Sequence, residues 1–202
     1  MIAIVDYGVG NLFSLSSSLK KIGAEVVVTG DKKIIESADK IILPGVGAFK
    51  DAMNKLIQTG LDKVVIDQAK KGKKILGICL GMQLLFERSY EFGLCQGLGL
   101  LKGEIVGMQG VLSKDLKIPH IGWNALKFKK ESHLNKYIKE GDHVYFVHSF
   151  YAIGCTDSLV SVAEYQIEVP ATVECGNVCG CQFHPEKSGK VGLAILKAFC
   201  EM

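Results

Sequence analysis

The chain of 202 residues holds little that would mark a linker, a membrane segment or a nucleic-acid track. It has 4 prolines, no repeat and no low-complexity stretch, which speaks for one globular domain over residues 1–202. A chain of this length buries roughly 70% of its unfolded surface. No run approaches the roughly 20 apolar residues that cross a membrane. The opening MIAIVD lacks the basic stretch and long apolar run of a signal peptide and reads as the start of a strand. Net charge is only +3, and the lysine clusters at 70–74 and 127–130 are not interleaved with aromatics. Nucleic acid and anionic membrane are therefore not expected as partners. No Walker motif is present. Gly8 and Gly10 begin a dinucleotide fingerprint, but Phe13 stands where its third glycine belongs.

Cysteine is not scarce, yet a disulfide framework is missing. The seven cysteines are odd in number, and a domain of this size needs no staples, so they read as free thiols of a reducing cytoplasm. Cys175, Cys179 and Cys181 lack the two-residue gap of common zinc pairs. In a strand over Val178–Phe183, Cys179, Cys181 and Phe183 share one face as apolar filling. No metal is expected.

What is there is Gly77-Ile78-Cys79-Leu80-Gly81. A buried-strand pattern over Lys74–Ile78 runs into it, and a helical pattern over Leu80–Glu87 runs out. A reactive residue between strand and helix, with glycine two places before and two after, reads as a nucleophile elbow with Cys in place of Ser. A helix N-terminus aimed at the sulfur favours the thiolate. The alternative is a buried cysteine on a glycine-rich turn. Phe183-His184-Pro185-Glu186 weighs against that, since it offers a base and a carboxylate to orient it.

Around the elbow, the first half alternates short apolar runs with helical periods. Strands are expected at Ile2–Asp6, Glu25–Val28, Lys40–Leu43 and Lys74–Ile78. Helices are expected at Asn11–Ile22, Ala48–Gln58 and Leu61–Lys71. This rhythm predicts a parallel sheet covered on both faces. In the second half, Val144–Phe150, Leu159–Ala163 and Thr172–Glu174 read as strands with few helices between them, an antiparallel or mixed extension of the same sheet. Ser188–Glu201 reads as a closing amphipathic helix.

A thiol hydrolase also needs an oxyanion hole. The Leu80 N–H is the first donor by the logic of the elbow. Leu43-Pro44-Gly45-Val46-Gly47 ends a neighbouring strand and supplies a second, with the Val46–Gly47 peptide free to turn. Among the histidines, His133 and His143 sit in charged surroundings. His120 and His148 lie in or near strands and read as structural. His184 stands before Pro185 and two residues from Glu186, which makes it the expected base.

GICLGMQLLF together with QFHPEKS resembles the class I, triad-type glutamine amidotransferases. DYGVGN, LPGVGAF, GLGLLKGE, PHIGWN and FVHSFY, in that order, narrow the resemblance to the glutaminase subunits of imidazole glycerol phosphate synthase. The resemblance implies a flavodoxin-like three-layer α/β fold and a triad of Cys79, His184 and Glu186. It implies L-glutamine contacts at Gln83, Glu91, Ser149 and Phe150, where the family commonly has Tyr at the last position. It implies no cofactor, and a (β/α)₈ cyclase subunit as heterodimer partner in histidine biosynthesis, with Trp123 and Asn124 offered either as docking surface or, for Trp123, as core. An amidotransferase of the same subfamily serving a surface-sugar pathway stays open. So does a stand-alone cysteine hydrolase on a similar fold, although relatives of that kind carry His where Leu80 stands.

Overall fold

The computed structural model describes residues 1–113 and 115–202. In chain order the first half runs β1 (Ile2–Val5), α1 (Leu12–Lys21), β2 (Val26–Thr29), α2 (Lys32–Ser37), β3 (Lys40–Leu43), α3 (Phe49–Thr59), α4 (Leu61–Lys70), β4 (Lys74–Ile78) and α5 (Leu80–Leu84). Then follow β5 (Phe86–Ser89), β6 (Cys95–Gln96), β7 (Leu101–Gly107), β8 (His120–Phe128), β9 (His143–His148), β10 (Phe150–Ile153), β11 (Leu159–Tyr165), β12 (Ile167–Cys175), β13 (Val178–Cys181) and α6 (Gly189–Cys200).

Nine strands form one sheet in the order β2-β1-β3-β4-β13-β12-β11-β8-β9. The first five are parallel neighbours, and from β13 to β12 onward every pairing is antiparallel. Alternation along the strands divides the core. Ala3, Val5, Ile41, Leu43 and Ile75 face the layer of α2, α3 and α4. Ile2, Ile4, Ile42, Leu76 and Ile78 face α1 and α6, together with Cys179, Cys181 and Phe183. This is the expected three-layer arrangement, with the period of two read directly off the strands. Cys179 and Cys181 are fully buried filling, and burial lifts the Cys179 thiol to about 12. Cys175 is exposed, so the three cysteines do not converge.

Glycine ends α1 at Gly23, and Gly60, in the left-handed conformation, separates α3 from α4. Two features differ from the sequence reading. The helix after the elbow is five residues long, because Phe86 turns into β5 where a helix to Glu87 is expected. Nor do all later strands extend the main sheet. A second sheet, β10-β7-β5-β6, lies beside it, and the expected strand Val144–Phe150 breaks at Ser149 and passes from one sheet to the other. The helix α2 and the strands β5 to β8 are further elements that the sequence reading lacks. No helix among the described residues is long and apolar enough to cross a membrane.

Candidate active site

The elbow is a strained bend. Cys79 adopts φ 53° and ψ −112°, a conformation L-residues avoid, at the junction of β4 and α5. The flanking glycines have a steric cause. A Cβ on Gly81 would lie 1.8 Å from the Leu43 carbonyl oxygen, and one on Gly77 2.6 Å from Met82 Cα. Cys79 N donates to the Cys181 carbonyl at 2.8 Å, so β13 supports the bend from below.

β13 also delivers the expected base. The chain leaves it through Gln182 and Phe183, and His184 N donates to the Tyr145 carbonyl on β9 at 3.0 Å. Ser188 completes the clamp: its Oγ donates to the His184 carbonyl at 2.7 Å and accepts from Tyr145 N at 3.0 Å. Pro185 starts a single 3₁₀ turn over 185–187, which folds Glu186 back so that its Oε1 meets His184 Nδ1 at 2.8 Å. Both side chains are buried, 3% exposed each. Burial pulls the His184 imidazole down, but hydrogen bonds to the Cys79 sulfur and the Glu186 carboxylate, with the charges of both, outweigh it and lift it to about 9. The charged form of the His184 ring is thereby favoured beside the sulfur.

The glycine loop packs against the elbow. A Cβ on Gly45 would stand 2.9 Å from Gly81 N and 3.0 Å from Leu80 Cβ, so the loop passes in contact with the start of α5. The loop is fastened at both ends. Tyr7 Oη donates to the Pro44 carbonyl at 2.7 Å, and Glu91 Oε2 accepts from Phe49 N at 2.7 Å. Burial raises the Glu91 carboxyl, and the Phe49 N–H opposes that shift. Between the two fastenings Val46 is exposed and Gly47 has φ +94°.

These groups surround a cavity of about 430 Å³ lined by Val46, Gly47, Cys79, Leu80, Gln83, Glu91, Ser149, Phe150 and His184. Every residue expected to touch substrate thus reaches one cavity, and Glu186 stands directly behind it. Pro119, Val147, His148 and Lys187 line it too and are absent from the sequence reading of the site. Gln182 is a further omission. Fully buried, it accepts from Gln83 Nε2 at 3.0 Å and presents its own Nε2 to Cys79 Sγ at 3.8 Å. A polar residue in an apolar strand was the available signal for it. Gln83 Nε2 donates its second proton to the Phe150 carbonyl at 3.0 Å, which ties the Phe150 backbone to α5.

His148 is not a competing base. Its Nδ1 donates to the Phe150 carbonyl at 2.9 Å and its Nε2 lies 3.0 Å from His120 Nδ1. Burial pushes it down to about 3. Trp123 is half exposed at 53%, edge-on to Tyr145, which excludes the core reading for the only tryptophan. A larger open hollow of about 700 Å³ between Phe128 and Lys136 contains no cysteine, and its Lys129 and Lys136 are already paired with Glu168 and Glu201.

The arrangement provides a sulfur nucleophile, an imidazole beside it, a carboxylate behind, and backbone N–H groups at the elbow. Known proteins agree with it. The family described as glutamine amidotransferase class-I matches residues 3–202. The chain is 53% identical to "Imidazole glycerol phosphate synthase subunit HisH" of Caldanaerobacter subterraneus subsp. tengcongensis, covering 100% of this chain and 98% of that protein. It is 50% identical to the same-named subunit of Geobacillus kaustophilus, covering 98% and 95%. Among solved structures, a "glutamine amidotransferase" superposes with a TM-score of 0.76 at 17% identity, over 98% of each chain. PurLQS from Thermotoga maritima gives 0.72 at 22% identity, over 99% of this chain and 97% of that one. Those identities speak for the fold alone. With its residues matched from the first strand to the last helix, and a cysteine elbow at the centre of the matched fold, the chain belongs to the class-I glutamine amidotransferases.

Proposed function

We propose that this chain is the glutaminase subunit of an imidazole glycerol phosphate synthase, with Cys79, His184 and Glu186 as its catalytic residues. About half-identity over full length to subunits of that name supports the assignment. The observation that carries the mechanism is the placement of His184 between Cys79 and Glu186.

The chemistry follows from protonation. Transfer of the thiol proton from Cys79 to His184 gives a thiolate beside an imidazolium. The thiolate attacks the side-chain amide carbon of glutamine, forming a C–S bond. The developing oxyanion is met by the Leu80 N–H and by an N–H of the Val46–Gly47 segment. On collapse the C–N bond breaks, His184 gives its proton to the departing nitrogen, and ammonia leaves a γ-glutamyl thioester. Now neutral, His184 takes a proton from water, which attacks the thioester. Glutamate departs, and the proton on His184 restores the starting pair. Glu186 holds the ring in register and balances its charge throughout. Gln83, Glu91, Ser149 and Phe150 hold the glutamine.

Ammonia released to neutral water is mostly protonated and no longer nucleophilic, so the product must pass directly to an acceptor enzyme. The relatives are named as subunits, which supports a partner. The partner is a (β/α)₈ cyclase subunit that makes imidazole glycerol phosphate and an aminoimidazole carboxamide ribotide, docked over Trp123 and Asn124, in the cytoplasm. The test is to co-purify the chain with that cyclase and measure glutamine-dependent formation of imidazole glycerol phosphate. Release of ammonia with no transfer to this acceptor would move the assignment to the surface-sugar pathway. Full glutaminase activity without any partner would move it to a stand-alone hydrolase.

A further inference from the structure

The line Asn124–His120–His148–Phe150 has one proton too few if both imidazoles are neutral. Asn124 Nδ2 donates to the Glu164 carbonyl at 3.0 Å, so Asn124 Oδ1 is the atom that faces His120 Nε2 at 2.8 Å and accepts from it. At the other end the Phe150 carbonyl accepts from His148 Nδ1 at 2.9 Å. Between the rings, His120 Nδ1 and His148 Nε2 lie 3.0 Å apart, and one of them carries a proton. Three N–H groups are needed, and two neutral imidazoles own two. Every neutral arrangement sets two acceptors or two lone pairs against each other, and the mildest one places the mismatch at the exposed Asn124–Glu164 end.

The surroundings indicate which ring holds the extra proton. His120 is stacked between two aromatic faces, Phe146 at 5.0 Å and 17° and Tyr165 at 4.0 Å and 18°. Such faces attract a cation. His148 lies low. Burial is the main cause, its bond to the Phe150 carbonyl opposes that, and the charges of His120 and His184 lower it further. Burial lowers the His120 imidazole below the ordinary histidine value, and the Asn124 bond opposes that shift. The two ring faces and the bond to His148 join the second side, and the bond count, which leaves every neutral arrangement one protein bond short, decides. The titratable groups that share the cavity wall with His148 are Cys79, Glu91, His184 and Lys187. The Glu164 carboxylate is turned away to Lys127 at 2.6 Å.

We propose that His120 is a buried imidazolium that fixes His148 as a donor to the Phe150 carbonyl, so that the pair positions the Ser149–Phe150 turn. The role in glutamine binding rests on the function proposed above; the proton count does not. The Phe150 carbonyl is held from one side by His148 and from the other by Gln83, which continues through Gln182 to the sulfur. When the proton leaves, the exposed end of the line yields first: the Asn124 amide turns, because water can serve the Glu164 carbonyl there. His120 and His148 are thus positioning residues that act through the turn.

The test begins with the unmodified chain, labelled with ¹⁵N-histidine and observed by NMR at neutral pH. The expected result is an imidazole N–H on both nitrogens of His120 and on Nδ1 of His148. A bare nitrogen on His120 would overturn the proposal, whether or not glutamine is the substrate. The second arm compares Tyr165→Leu with Tyr165→Phe in a Cys79→Ala background, with glutamine affinity read by calorimetry. Removing the ring face should weaken glutamine binding about tenfold at about pH 8 and little at about pH 6, while the phenylalanine variant, which keeps the face, binds as its parent does. Equal behaviour of the two variants at both pH values would refute the positioning role even if the proton count holds.

Discussion

Tyr7 Oη donates to the Pro44 carbonyl at 2.7 Å, which ties the turn after β1 to the first residue of the glycine loop. Tyr7 is 4% exposed, and burial pushes its hydroxyl well above the usual tyrosine range, so it stays a neutral donor at any working pH. The hydroxyl therefore acts as a fixed post beside a loop whose middle, Val46 and Gly47, is exposed.

Tyr7→Phe keeps the ring and removes only that donor. The Pro44 carbonyl is left buried without it, which costs about 1–3 kcal/mol. The expected result is a lower urea midpoint and a loss of about tenfold or more in kcat/KM, because the oxyanion N–H drifts. Unchanged kcat/KM with an unchanged midpoint would show that the loop is held otherwise.

Gly47 has φ +94°, and nothing lies within 4 Å of a Cβ built there. Gly47→Ala therefore tests backbone conformation without a clash. The left-handed conformation costs an alanine about 1–2 kcal/mol, enough to shift a two-state loop about tenfold toward negative φ. Basal glutaminase activity of the isolated chain should change by about that factor. Kinetics identical to wild type would rule out a turn of the Val46–Gly47 peptide.

The folded His184 value of about 9 lies above the ordinary histidine value of 6.5. The proton is held more tightly in the folded chain, so the stability this gives is complete below about pH 6.5 and is lost as pH rises through about 9. Urea midpoints should fall across that interval, and a Cys79→Ala chain should lose less, because its imidazolium lacks the sulfur. Parallel curves for the two proteins would show that the sulfur does not raise His184.

Among the described residues Glu186 Oε2 is buried with no partner, so the carboxylate is held through Oε1. Glu186→Gln keeps the shape and loses the charge. We expect kcat to fall by about two orders of magnitude and the basic limb of the pH profile to move to lower pH. His184→Ala should cost more, at least about three orders, as loss of the base does in triad enzymes. Equal losses with unshifted profiles would remove Glu186 from the orienting role.

Cys79→Ala should abolish labelling by a glutamine-analogue electrophile, while Cys179→Ala retains it. Burial holds Cys179 and Cys181 as thiols, so neither competes for the reagent. Cys179→Ala should instead lower stability by about 1–2 kcal/mol through lost packing. Peptide mapping after labelling decides, and modification at Cys181 would contradict the burial argument.

The elbow was legible because two glycines and one cysteine are local consequences of one tight bend. The parallel half was legible for a similar reason, since each strand carries its own period. Phe86–Ser89 was not. Its Leu-Leu-Phe-Glu approach has a helical period, and only pairing with Leu101–Ile105, a partner some fifteen positions away, turns it into a strand. The break at Ser149 was hidden likewise, because Val147 and Phe150 are equally good strand residues and the change of sheet depends on what each faces. Gln182 and Ser188 lay within quoted strings, yet their work is done across the sheet, at Cys79 and Tyr145.

The position of β13 between β4 and β12 has a consequence for biosynthesis. This strand, which supports the elbow and leads to His184, comes from residues 178–181, late in the order of synthesis. While the chain emerges from a ribosome, the elbow segment is made about a hundred residues before the strand that must sit beside it and the base that must serve it. The sheet stays split until that late strand enters, a long-range closure of the kind that slows folding. A nascent chain therefore carries a cysteine without its base. With the proposed triad, hydrolysis then waits for the sheet to close.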